Sequence, residues 1–270
     1  MGSGLFKSQK KNTHKLIPDK YHSYDDLAQG LKDAGVESSQ LIIGIDFTKS
    51  NARQGGDPFY ESENLHSKDP YPNPYQQAMK AICSALASFD DDGMIPAYGF
   101  GDSTTTNKSV FTFLADANGR EVACHKLEAV LQCYNNIIDS IESEQVKMSG
   151  PTSFVPIINK AIEIVKNAKS YHILIILCDG GVDNPATTAK AIVEASHYPL
   201  SIICIGVGRG PWDQMIKYDD SIPKRDFDNF QFVNFHKIMH DAENADVEFA
   251  TRALMEIPDQ YMYIKRHLLQ

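Results

Sequence analysis

Leu41-Ile42-Ile43-Gly44-Ile45 is an unbroken apolar run, and residues 95–100, 173–178 and 200–207 share its character. A strand with one wet face alternates apolar and polar side chains. A continuous run is buried on both faces, as a strand is inside a parallel sheet. Helical patterns lie between the runs. Within residues 75–89, Ala78, Ile82, Ala85, Leu86 and Phe89 fall on one helix face, and residues 127–138, 154–165, 186–195 and 249–255 repeat that spacing. Asn184 before Pro185 is a cap followed by a residue suited to the first turn. An earlier helix starts at Ser23, carries Leu27, Leu31 and Ala34, and stops at Gly35.

Strands alternating with helices require right-handed crossovers. The sequence therefore predicts an α/β fold: a doubly wound, mostly parallel sheet with helices on both faces. Residues 230–235 offer a further strand, and 110–113 one antiparallel edge strand. Residues 1–22 read as a flexible basic tail, 23–262 as the domain and 263–270 as a C-terminal tail.

In such a sheet, ligands bind beyond the C-terminal ends of the strands. The first run is followed by Asp46-Phe47-Thr48-Lys49-Ser50 and the 173–178 run by Asp179-Gly180-Gly181. Gly150-Pro151-Thr152-Ser153 precedes the 154–165 helix. Three loops thus carry two carboxylates and three hydroxyls, Asp46, Thr48, Ser50, Thr152 and Asp179, toward one rim. All are hard oxygen donors, which suit Mg²⁺, with Mn²⁺ or Ca²⁺ as alternatives. Without a cation the two carboxylates repel each other.

The pattern resembles the von Willebrand factor A domain and its metal-ion-dependent adhesion site. The likeness extends to the copine-type branch through Pro72-Asn73-Pro74-Tyr75, Ile95-Pro96-Ala97-Tyr98-Gly99-Phe100-Gly101-Asp102, Pro211-Trp212-Asp213 and Ala253-Leu254-Met255-Glu256-Ile257-Pro258. It includes the copine-like RING-domain E3 ubiquitin ligases, although this sequence carries no RING set of Cys and His. The resemblance implies a protein-binding module whose metal takes an acidic residue of a partner. It would form the substrate-binding or regulatory part of a ubiquitin ligase, in contact with ubiquitin-pathway proteins. The alternative is a calcium- and phospholipid-signalling scaffold without ligase activity.

The bulk chemistry narrows the partners. A net charge of −9 disfavours nucleic acid, which binds basic faces. No apolar run is long enough to span a membrane, which leaves peripheral contact open. Cys83, Cys178 and Cys204 sit in apolar segments and no Cys-x-x-Cys pair occurs. The odd number of thiols points to a reducing compartment, the cytoplasm, with the nucleus or a membrane surface as alternatives.

No catalytic residue follows from the sequence. Asp46 could be the nucleophile of an Mg²⁺-dependent phosphatase, but Thr48 stands where such enzymes place an acid/base Asp. Asp102 reads as a support to the metal residues or a turn cap, and Asp183 as a cap of the next helix. The nine histidines read as surface or core polar groups, Trp212 as a gap filler and Asp219-Asp220 as a solvated turn. The polar stretch 51–73 reads as a rim loop.

Overall fold

The computed structural model describes residues 21–269 apart from 22, 37–38, 54–63, 70, 88, 90–91 and 223. All of the expected N-terminal tail except Tyr21 lies outside the described residues, as do residues 54–63 and 70 of the expected rim loop.

The strands are β1 Gln40–Asp46, β2 Met94–Ile95, β3 Ala97–Phe100, β4 Phe111–Thr112, β5 Cys124–His125, β6 His172–Cys178, β7 Leu200–Gly206 and β8 Phe230–Asn234. The helices are α1 Tyr24–Ala34, α2 Pro74–Leu86, α3 Lys126–Glu142, α4 Val155–Ala168, α5 Pro185–Ala195, α6 Asp213–Ser221, α7 Phe235–Asp241, α8 Ala245–Leu254 and α9 Ile257–His267. Six strands form one sheet in the order β4-β3-β1-β6-β7-β8. Every neighbouring pair is parallel except β3 with β4, the expected antiparallel edge.

The apolar runs behave as two-faced strands. Leu41, Ile43 and Ile45 join Ile173, Ile175 and Leu177 in a core under α1, α2, α3, α8 and α9. Ile42, Leu174, Ile176, Ile202 and Cys204 face the opposite core with α4, α5 and α6. Gly44 allows α4 to come close, since a Cβ there would lie 2.5 Å from Ile157 Cγ1.

Chain direction places the site. From β1 the next strand added to this sheet is β3 on one side, while β6 is added on the other. The sheet therefore splits its connections at β1 and β6, the position where open α/β sheets bind ligands.

Several elements differ from the sequence reading. Pro96 interrupts the 95–100 run because it has no N–H for the ladder. Ile95 then pairs antiparallel with Cys124 in a separate two-stranded sheet. Residue 235 starts a helix rather than ending a strand. The C-terminal tail expected from 263 is instead the second half of α9, anchored by the buried Ile264. Asp219 and Asp220 belong to α6, not to a turn.

Asp219 also contributes to a buried charge cluster with Arg225, Asp228 and Glu256. Arg225 and Asp228 are both buried, with Nη2 2.7 Å from Oδ1. Glu256, at the start of α9, accepts from Gln260 Nε2 at 3.1 Å. Burial, reinforced by Asp228, pushes the Glu256 carboxyl up to about 10. Burial likewise pushes Asp219 up to about 8. One guanidinium therefore bonds Asp228 beside two acids that hold their protons. An acid with a raised folded pKa stabilises the fold fully below its unfolded pKa, and that contribution is lost as pH rises through the folded value. The thermal midpoint should fall as pH rises from about 4, the unfolded carboxylate value, toward about 10, the folded value of Glu256. Each ~1 kcal/mol lost corresponds to roughly 2–4 °C in a chain of this size. Glu256→Gln, which mimics the protonated acid, should flatten that slope in a pH series of thermal melts. An equally steep slope in the variant would remove Glu256 from the explanation.

Candidate metal centre

The five hydroxyl and carboxylate residues converge. β1 ends at Asp46, whose Oδ1 accepts from Thr48 N–H at 2.8 Å and so bends the chain back over the strand end. Residues 49–53 continue as a 3₁₀ turn that brings Ser50 alongside. Thr48 Oγ1 and Ser50 Oγ lie 2.9 Å apart. Ser50 Oγ donates to Asp179 Oδ1, at the end of β6, at 3.1 Å. Thr152 Oγ1 donates to Thr48 Oγ1 at 3.3 Å.

Backbone bonds hold the loops in register. Lys49 N–H donates to Ser149 O at 2.7 Å, and Ser149 N–H to Gly101 O at 3.1 Å. Asp183 ties the other side. Its Oδ2 accepts from Thr152 N–H at 2.5 Å, and its own N–H donates to Thr152 O at 3.0 Å. It therefore clamps the Thr152 loop to the Asp179 loop, and the cap of α5 is Asn184. Asp102 accepts from the N–H groups of Thr104 and Thr105, each at 3.0 Å, so it caps a turn.

The support beneath the site escapes sequence reading. His66 is buried, with Nε2–H donating to Asp46 O at 2.9 Å and Nδ1 accepting from Tyr134 OH at 2.7 Å. Burial holds its pKa down at about 3, which fixes a neutral ring for both bonds. Asn51 Nδ2 donates to Asp46 O and Thr48 O, and Tyr75 OH donates to Asn51 Oδ1 at 2.6 Å. Phe47 and Tyr75 stack on His66 with centroids 4.6 and 4.2 Å away. The aromatic wall backs the hydroxyl loop. Asn51, directly after Ser50, and Tyr75, in the quoted Pro-Asn-Pro-Tyr motif, are the two whose positions could have signalled this.

The site has the electrostatics of a cation pocket. Asp46 is 0% exposed, and among the described residues its Oδ2 has no hydrogen-bond partner. Burial, then the Asp179 charge, raise its pKa well above the ordinary carboxylate value. A buried carboxylate oxygen left open beside another carboxylate is costly unless a cation compensates it. The donor set of two carboxylates and three hydroxyls fits a hard divalent ion and not a thiophilic one. No group of three His, Cys, Asp or Glu suited to a metal occurs among the described residues. A cleft of about 440 Å³, lined by Ser50, Thr152, Asp179 and Asp183 among others, gives a ligand access to this rim.

A sequence profile of the copine family matches residues 64–270. The chain belongs to the copine family. Copine family protein 2 of Caenorhabditis elegans is 53% identical over 246 residues, covering 91% of this chain and 3% of that protein. The E3 ubiquitin-protein ligase RGLG4 of Arabidopsis thaliana is 46% identical over 267 residues, covering 93% of this chain and 64% of that protein. This copine-family chain thus spans less than two thirds of the length of either relative. Among solved structures, that of the manganese-loaded TRAP protein of Plasmodium vivax aligns with a TM-score of 0.48 at 10% identity, over 78% of this chain and 74% of that one. Among the described residues of this copine domain, no helix is long and apolar enough to cross a membrane.

Proposed function

We propose that this copine domain is a metal-ion-dependent protein-binding module. Asp46, Thr48, Ser50, Thr152 and Asp179 would hold one divalent cation, Mg²⁺, Mn²⁺ or Ca²⁺. The observation that carries the reading is the buried, unpartnered Asp46 Oδ2 beside a chain of three hydroxyls from two loops. When bound, the cation supplies an electrophilic position for one carboxylate of a partner protein. The chain's own residues do the rest. His66 and Asn51 fix the Asp46 carbonyl, Asp183 fixes the Thr152 loop, and the cleft over Ser50 and Asp179 admits the partner's side chain.

The likeness to an E3 ubiquitin-protein ligase supports a narrower assignment. We place the domain as the substrate-binding or regulatory part of such a ligase, meeting proteins of the ubiquitin pathway. The likeness to a copine family protein supports a second reading, a copine scaffold with the same metal chemistry.

Calorimetry of Mg²⁺ into the wild-type chain should show one site, and Thr152→Ala should weaken it at least tenfold. A glutamate-containing peptide should then bind with Mg²⁺ and be released by EDTA. Peptide binding indifferent to EDTA would overturn the reading.

A further inference from the structure

The loop after β7 has two faces. Gly210 and Pro211 line the cleft over the metal residues, and Gly210 N–H donates to Asp179 O at 3.3 Å. Gly208, Arg209 and Trp212 line a different depression of about 320 Å³, whose far wall is α7 with His236, Lys237, His240 and Asp241. One loop thus contributes consecutive residues to both depressions. Consecutive Cα atoms lie only about 3.8 Å apart, so the Arg209 and Gly210 faces are close neighbours.

This second depression is cationic in a chain of net charge −9. Arg209 and Lys237 are exposed on it, two histidines adjoin them, and one carboxylate, Asp241, offsets part of the charge. Asp241 bonds Lys237 Nζ at 2.5 Å and His240 Nδ1 at 2.9 Å, which holds both heads on the same wall. The loop between is shaped by Trp212, whose ring packs on Phe232 at 5.2 Å between centroids. A Cβ on Gly206 would lie 2.7 Å from that ring, so the indole is seated directly on the strand end.

The charges around the metal residues make this pocket matter. A divalent cation between Asp46 and Asp179 is neutralised by them, and Asp183 and Asp213 add negative charge to the same cleft. An acidic partner therefore gains contact attraction at the metal but little long-range attraction toward it. A cationic pocket across one loop would supply steering and a second anchor.

Resting on the metal-dependent reading above, we infer that Arg209, Lys237, His236 and His240 form a second anion subsite. It takes another carboxylate, or a phosphate, of the same acidic partner segment that reaches the metal. The partner motif is then a run of acidic residues rather than a single one, since extended chain advances about 3.3–3.6 Å per residue and a few residues bridge the loop.

The test uses two eight-residue peptides, octaglutamate and one glutamate among Gly and Ser, with fluorescence anisotropy in Mg²⁺. Octaglutamate should bind more tightly than the single-glutamate peptide. The double variant Arg209→Gln/Lys237→Gln should weaken octaglutamate at least tenfold. It should leave the single-glutamate peptide and calorimetric Mg²⁺ binding unchanged. Both side chains are exposed, and unchanged Mg²⁺ binding also reports an intact fold. Equal octaglutamate binding by variant and wild type overturns the subsite, as does failure of the wild type to bind it. If EDTA leaves octaglutamate binding intact while the double variant loses it, the subsite stands and the metal reading falls. Vesicles with 20% phosphatidylserine form the third arm. Loss of vesicle sedimentation in the double variant, with peptide binding unchanged, assigns the pocket to a membrane and overturns the peptide assignment.

Discussion

Mg²⁺ at a hundred times its dissociation constant should raise the unfolding free energy of the wild-type chain by about 2.7 kcal/mol, the increment for a ligand that binds only the native state. Asp46→Asn should abolish that increment, and the same substitution should make the metal-free protein more stable. The two effects have opposite signs for one reason. Asp46 is wholly buried, close to Asp179, and its carboxyl is held well above the usual range by burial and by that neighbour. Ionising it without a cation is unfavourable, so a neutral side chain of the same shape relieves the fold by on the order of 1 kcal/mol. Asparagine can still accept the Thr48 N–H with its Oδ1. It cannot supply the second charge that a divalent ion needs. Urea denaturation with EDTA and with saturating Mg²⁺, on both proteins, reads all four free energies. A variant that keeps the Mg²⁺ increment would take Asp46 out of the coordination set. A variant less stable than wild type in EDTA would mean that the carboxylate is satisfied without metal.

How much of this was legible beforehand follows from how local each signal is. The apolar runs of β1, β6 and β7 report burial on both faces within a single segment, so strand, parallel pairing and site location could be argued without coordinates. Asp46, Thr48 and Ser50 are close in sequence, and Thr152 and Asp179 stand at element ends, so topology alone brings them to one rim. His66 and Tyr134 carry no such signal. His66 reaches Asp46 O only because the chain after residue 63 returns to the β1 end, and Tyr134, from α3, reaches His66 in turn. Asp183 precedes a helix whose cap is Asn184, and only the position of the Thr152 loop turns it into a clamp. The α6 and α9 helices were missed because their apolar faces are short, Met215 with Tyr218 and Ile257 with Ile264, amid charged residues. Their packing, not their periodicity, makes them helices.

Gly101→Ala should damage both stability and metal binding, and a second substitution should separate the causes. Gly101 has φ of 85°, a left-handed conformation that costs about 1 kcal/mol for a residue with a Cβ. The added Cβ would also lie 2.3 Å from Thr48 Cγ2 and 3.3 Å from Thr48 N. The methyl can yield only by turning Thr48, whose hydroxyl links Ser50 and Thr152. Overpacking of this kind adds roughly 1–3 kcal/mol. The combined loss should be about 2–4 kcal/mol by urea denaturation in EDTA, with Mg²⁺ affinity down at least tenfold by calorimetry. Thr48→Ser keeps the hydroxyl and removes the methyl. Added to Gly101→Ala, it should recover the overpacking share and most of the Mg²⁺ affinity, leaving only the backbone cost. A double variant no better than Gly101→Ala alone would show that the methyl is not the conflict. The close approach of Gly101 would then serve the backbone of the Thr48 turn and not the placement of its hydroxyl.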